Sequence, residues 1–231
     1  KKPFLKNKGT LEATLKGYDA FYHAISHSKG IDSIDKQLVP SLKNHEIQYF
    51  YDLMNIASRV DAYSHNAISF YLSALINASP EHHVKFNLRT SVFGLCSLGL
   101  HFGNGTPQQL DIYGNAGMAV GCEMKQGVIT IHGNATINTG HKMQGGTLII
   151  KGTALEIGDF TNGMLHCQRA NEISEPVSTV HAKTAGTINA SFGNYAPGTI
   201  HLEKAPTQIG LQVRSTIYVA RKKYWERGKN E

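Results

Sequence analysis

Apolar residues in the first 90 positions recur at steps of three and four, the spacing of helices with one buried stripe. Leu11, Leu15, Tyr18, Phe21, Tyr22 and Ile25 form the first stripe, with Thr10 as a cap and Gly30 as a stop. Ile47, Phe50, Tyr51 and Met54 mark a second helix that opens at Ser41, just after Pro40. A third runs from about Val60 through Ile76. Ser79-Pro80-Glu81 has the form of a cap followed by proline at the first helical position, which predicts a fourth helix from His82 towards Phe93. The aromatic residues on these stripes are read as packing.

After about residue 94 the pattern changes to short alternations punctuated by glycine. Gly121-Cys122-Glu123-Met124 returns nineteen positions later as Gly140-His141-Lys142-Met143, with Gly99-Leu100-His101-Phe102 upstream and Gly158-Asp159-Phe160 downstream. A second phrase interleaves. Gly127-Val-Ile-Thr-Ile131-His-Gly133-Asn134-Ala135 is repeated as Gly146-Thr-Leu-Ile-Ile150-Lys-Gly152-Thr153-Ala154, and Gly114-Asn115-Ala116 ends an earlier copy. Apolar residues at alternate positions, Ile129 with Ile131 and Leu148 with Ile150, predict short strands buried on one face. The glycine after each strand predicts a corner that a β-carbon would obstruct. A period of about nineteen residues holding two short strands and two corners is one coil of a parallel β-helix. The rhythm persists at Gly163-Met-Leu-His166-Cys167, Gly186-Thr-Ile-Asn189 and Gly198-Thr-Ile-His201-Leu202, while residues 168–185 read as an excursion. The stack is expected to have about five turns.

Gly114-Asn-Ala-Gly117, Gly121-x-x-Met124, Gly127-x-Ile-x-Ile, Gly133-Asn-Ala, Gly140-x-x-Met143 and Gly145-Gly-x-Leu-Ile-Ile-x-Gly152 together resemble the glycine-patterned (GXGXG-type) β-helix at the C-terminus of the glutamate synthase large chain. The same phrases resemble the β-helical subunit of formylmethanofuran dehydrogenase. The likeness covers about residues 99–166, weakens to about 203 and is absent before 90. It implies a right-handed β-helix that acts as a scaffold beside cofactor-binding catalytic domains. It carries no catalytic residue with it. The chain's 231 residues leave no room for the catalytic domains of a complete glutamate synthase.

Composition narrows the classes without naming one. The 41% hydrophobic content supports a real core, and no apolar run is long enough to span a membrane. Three widely spaced cysteines, Cys96, Cys122 and Cys167, form no CxxC pair, so neither a disulfide framework nor a standard zinc site is encoded. With no signal-like opening in the sequence as given, a cytoplasmic location is the default expectation. The formal charge of +6 is concentrated at the two ends, and the last 28 residues hold seven Lys and Arg against two acidic residues. Residues 217–229, with Arg221, Lys222, Lys223 and Arg227 around Tyr224 and Trp225, read as a basic helix capping the open end of the stack. The competing reading is contact with nucleic acid or an acidic membrane.

Stacking aligns two polar columns. Cys122, His141 and Asp159 follow successive coil glycines and carry the side-chain types of a metal site or of a nucleophile with its base. The preferred reading is a solvated turn column, because Glu123 and Lys142 are its neighbours and Leu100 precedes it. His166, Asn189 and His201 form an outward ladder, read as polar surface before metal site. No phosphate loop, HExxH or GxSxG motif occurs, and no cofactor is expected.

The expected architecture is α+β, with a helical region at 1–93, a β-helix at 94–210 and a basic helical tail at 211–231. Gly114, Gly121, Gly127, Gly133, Gly140, Gly146, Gly152 and Gly158 are its structural repeat. The function expected first is a non-catalytic scaffold that binds a partner protein or itself. An accessory subunit of an amidotransferase or a formylmethanofuran-dehydrogenase-like redox complex is second. A small metal or cysteine enzyme using Cys122, His141 and Asp159 is third.

Overall fold

The computed structural model describes residues 8–26, 36–57, 62–88, 95–106, 108–158, 162–174, 179–189, 198–210 and 213–225. Helices α1 (Lys8–Ser26), α2 (Asn44–Ala57) and α3 (Ala62–Ala78) cover the three predicted stripes. The stop at Gly30 lies outside the described residues. Leu15 is off the buried stripe and 44% exposed, whereas Thr14, Phe21 and Ala24 face inward. Thr14 tolerates burial because its hydroxyl donates to the Thr10 carbonyl at 2.7 Å. α2 opens three residues later than Ser41 because Lys43 is the cap. Its carbonyl accepts from the Glu46 and Ile47 amides, and its own N–H donates to Glu46 Oε2 at 2.9 Å. The three stripes meet at Tyr71, whose ring lies 5.0 Å from Phe21 and 5.5 Å from Phe50.

The fourth predicted helix is a strand. Ser79 does not cap a helix; its hydroxyl accepts the Glu81 amide at 3.3 Å, and the chain then extends as β1 (His83–Asn87). Val84 and Phe86 are buried between exposed neighbours, a period of two that the proline signal obscured. The first rung of the sheet therefore lies inside the span read as helical.

Parallel strands follow in chain order. They are β2 (Gln109–Tyr113), β3 (Val128–Ile131), β4 (Thr147–Ile157), β5 (Met164–Ser174), β6 (Thr179–Asn189), β7 (Thr199–Leu202), β8 (Gln208–Ile209) and β9 (Thr216–Val219). The main column runs β1 to β7 and then β9, with β8 paired beside β6. From β2 to β7 there are six rungs and so five turns, as the repeats predicted, and one further rung stands at each end. The registers Gln109↔Val128 and Val128↔Thr147 confirm the period of nineteen. Val84, Leu110, Ile129, Leu148, Leu165, Val180, Ile200 and Ile217 share one inward column, and each is at most 1% exposed.

The other sides of the coil differ from the expectation of two strands per turn. Around Gly99, Gly121 and Gly140 the chain forms stacked tight turns in which alternate residues have positive φ. His101, Glu123 and Lys142 take φ of 55°, 52° and 53° beside glycines at 78°, 69° and 72°. Those turns are closed across coils by backbone bonds, including Glu123 N–H to the His141 carbonyl and Gly140 N–H to the Val120 carbonyl. A second full strand column appears only where β4, β5 and β6 bend and continue. Residues 168–174 and 179–185 are thus no excursion, since 164–174 and 179–189 are paired strands, and 175–178 lie outside the described residues. Gly133 and Gly152 are required by close approach: a β-carbon on either would strike the backbone of the coil below. Beside them an asparagine ladder runs along the stack. Asn115 Oδ1 accepts the Asn134 amide at 2.9 Å, and Asn134 Oδ1 accepts the Thr153 amide at 2.8 Å.

Both ends of the main column are covered. At the first rung, α2 supplies side chains to the open edge of β1. Asn44 Oδ1 accepts the Lys85 amide (3.0 Å), and Gln48 both accepts the Asn87 amide (2.7 Å) and donates to its carbonyl (3.1 Å). Four helical residues rise about 6 Å and two strand residues about 6.6 Å, so the i, i+4 pair matches the strand repeat. α3 anchors to the turns through Ser73, which accepts the Gly99 amide, and Asn77, which donates to the Leu100 carbonyl. At the last rung the expected helical tail is instead a hairpin: β10 (Lys222–Trp225) pairs antiparallel with β9. A cap is present there, but it is a strand with exposed lysines at its edge rather than a helix. The amphipathic-helix basis for a membrane or nucleic-acid contact falls with it. Among the described residues no helix is long and apolar enough to cross a membrane.

Two substitutions test this frame. Ile131→Asp or Ile150→Asp places an unpaired charge in a fully closed column, at a cost of several kcal/mol, and should abolish cooperative urea unfolding. Asn44→Ala/Gln48→Ala should cost about 1–3 kcal/mol and make the protein associate through β1 in sedimentation velocity. A monomer of unchanged stability would show that α2 does not guard that edge.

Candidate functional site

The longest built feature on the surface is an aromatic column. Facing outward, it begins as Lys85, Asp111, Thr130 and Ile149 and continues as His166, His181, His201 and Tyr218. Parallel register forces these rings together. Successive centroids are 4.8, 4.6 and 5.0 Å apart with interplanar angles of 10°, 8° and 12°. Sequence reasoning placed His166 and His201 here correctly and missed His181, which sat in the supposed excursion. It assigned Asn189 to the same column, but Asn189 pairs with Ser174 on the second side. The lost signal was Thr-Val-His181, which matches Thr-Ile-His201 two residues into each strand.

The column floors an open groove of about 970 Å³. Lys151, Lys183 and Arg221 stand along it, with Gln168 and one carboxylate, Glu203. Burial lowers the His166 pKa, and the nearby Lys151 charge lowers it further. His181 is lowered by burial first and then by His166 and His201 on either side. These imidazoles are therefore neutral at pH 7, each offering one donor and one acceptor along its edge. They are not arranged as a metal centre: the rings lie flat on one another, and His181 separates His166 from His201.

The Cys122 column is assembled as far as the described residues reach. Cys122 and His141 occupy equivalent places on successive turns, while Asp159 lies outside the described residues. The chemistry of a nucleophile is missing. Burial pushes the Cys122 thiol up to about 11, Glu123 adds to that, and Lys142 only partly opposes it. Such a thiol is protonated at neutral pH. Cys167 is buried in the core, and burial raises its thiol to about 12. Among the described residues no three His, Cys, Asp or Glu side chains gather as a metal-holding group.

A third cluster was not foreseen. His83 Nε2 lies 2.6 Å from Asp111 Oδ2, and His132 Nε2 lies 2.9 Å from Asp111 Oδ1. Tyr113 stacks on His132 at 4.3 Å. Partial burial raises the Asp111 pKa, but hydrogen bonds and charge from His132 and His83 outweigh it and leave the carboxyl below its ordinary value. The cluster crosses three rungs, so only register knowledge could have found it. His101 and Glu123 make a similar contact at 2.9 Å beside a cleft of about 660 Å³ between α3 and the turns.

No protein-family profile, curated protein or solved structure matches the chain. The coils establish a β-solenoid and do not by themselves identify a glutamate synthase domain.

Stability should depend on pH through the ladder. His166 and His181 have folded pKa values below the ordinary 6.5, so the unfolded chain binds more protons once the pH drops under that value. Their contribution is full above about 6.5 and is lost as the pH falls through the folded values. Asp111 acts in a separate window, below its ordinary 3.8. Urea midpoints should therefore fall between pH 7.5 and 5.5, and His166→Asn/His181→Asn should flatten that fall. An equal fall in the variant would rule the ladder out as its source. Cys122 should also react slowly with iodoacetamide at pH 8, and a rate above that of a free thiol would contradict its environment.

Proposed function

We propose that the protein is a non-catalytic scaffold whose β-helix presents a rigid side face to a partner protein or to a second copy of itself. The observation that carries this reading is the contrast between ends and side. α2 covers the first rung and β10 pairs with the last, while the groove over the His166–Tyr218 column is open. A stack closed at its ends binds through its flank. The high Cys122 pKa weighs against the enzyme reading. A cytoplasmic setting accompanies the proposal, since Cys96, Cys122 and Cys167 form no disulfide.

The accessory-subunit reading rests on the repeat phrases. It is supported by the stacked Gly99, Gly121 and Gly140 turns that those phrases build. One experiment separates the three readings. The tagged full chain is purified from its own cells and examined by native mass spectrometry and sedimentation velocity. A scaffold gives a stoichiometric protein partner or a concentration-dependent dimer, and Cys122→Ala leaves that complex intact. A flavin, iron–sulfur or amidotransferase subunit as the partner selects the accessory role. A bare monomer in every preparation overturns both, and a metal or activity lost on Cys122→Ala restores the enzyme.

A further inference from the structure

The groove over the histidine column has a charge, a period and a chemical character that together specify an occupant. Three cations face one carboxylate on its lining, so it is an anion site. Among the described residues neither Lys151, Lys183 nor Arg221 is held in an ion pair. The two lysines stand at a defined interval. Lys151 follows Ile150 and Lys183 follows Ala182, and Ile150, Cys167 and Ala182 are in register, which puts the two lysines two rungs apart. On the next two rungs the same line holds Glu203 and Ala220, and Arg221 stands one residue past it in the turn after β9. Two rungs measure about 9.4–9.8 Å.

The walls decide between classes of polyanion. The faces of His181 and His201 are taken up by their neighbours in the stack, so the floor offers ring edges, not faces. Nucleic-acid bases and sugar rings, which bind aromatic faces, gain little from such a surface. The outward-facing Ile149 makes part of the lining apolar, which suits a chain carrying apolar as well as acidic side chains. This stretch of the sheet offers no open edge, because β4 to β7 are each paired on both sides. A peptide strand therefore has nothing here to extend. A polyproline II segment needs no such partner, and its third residues fall on one face about 9.3 Å apart.

We propose that this groove docks an acidic polyproline-type segment of a partner protein, with carboxylates three residues apart meeting Lys151 and Lys183; this rests on the scaffold reading and names its partner's chemistry. Imidazole N–H groups of His166, His181 and His201 and the Tyr218 hydroxyl supply further donors along the same line. Protonation of His166 and His181 adds charge that the acidic segment offsets. The other charged groups facing them are Glu203, just after β7, and Lys223 on β10, in register with Tyr218 on β9. Binding should tighten as the pH falls from 7.5 to 6 and weaken with salt.

The test uses the full chain and fluorescence anisotropy with a labelled peptide of four Glu-Pro-Pro repeats. The control peptide has the same composition with its glutamates in one block. Saturable binding that prefers the repeat, tightens at pH 6 and drops about tenfold or more in Lys151→Glu/Lys183→Glu supports the proposal. Both lysines are exposed, so circular dichroism should show that variant folded. Lys125→Glu/Lys142→Glu, with the same change in net charge away from the groove, should bind as the wild type does. Equal binding of the block peptide, equal loss in the two charge variants, or stronger binding of oligo-dT or polygalacturonate overturns it. If the peptide fails while a stoichiometric partner or dimer is still recovered, the groove is wrong and the scaffold reading stands.

Discussion

Parallel hydrogen bonding between successive coils, one rung about every 4.7–4.9 Å, decides which side chains in this protein meet. Once Val128 is in register with Thr147, the rest of that strand pair is fixed as well, through Ile131 with Ile150. Apolar residues then bury one another in columns from Val84 to Ile217, and polar residues have to live with whatever stands one rung above and below. The asparagine ladder, the stacked left-handed turns and the histidine column are three outcomes of that single constraint. In each case a group is satisfied by its own counterpart on the next coil.

A stack built this way is in danger at its ends, where a rung has unpaired N–H and C=O groups ready for another chain. The two ends are treated differently. A helix supplies Asn44 and Gln48 as substitutes for a missing strand, and a hairpin adds an antiparallel strand lined with lysine. The helical region is therefore integral to the solenoid: its aromatic cluster at Tyr71 positions α2 and α3 against the first coils. Closure at both ends leaves the flank as the open face of the stack.

That flank is electrostatically unusual. His166 and His181 stay neutral because burial and neighbouring positive charge both disfavour protonation, while lysines stand beside them in solvent. The result is a row of hydrogen-bonding edges with cations at a two-rung interval. The turn column, by contrast, holds its cysteine as a protonated thiol next to Glu123. The same stacking thus builds an open, cation-lined groove on one side and a column with a protonated thiol on another.

Much of this was legible in the sequence, because a repeat writes its period and its buried positions directly into the chain. Nineteen-residue spacing, the buried pair Ile129 and Ile131, and the place of His166 and His201 in one ladder all follow from side-chain alternation. What tertiary structure decided were the contacts whose partners lie on other coils with no repeat to align them. The strand at His83–Asn87 forms because Leu110 and Ile112 below it bury Val84 and Phe86, overriding a local proline signal for helix. His181 joins the ladder, and Asn189 leaves it, because coil lengths change where the repeat fades. The His83–Asp111–His132 cluster and the hairpin cap likewise depend on register between distant segments. Local patterning fixes the face a residue presents, but only the stacked backbone fixes what that face meets.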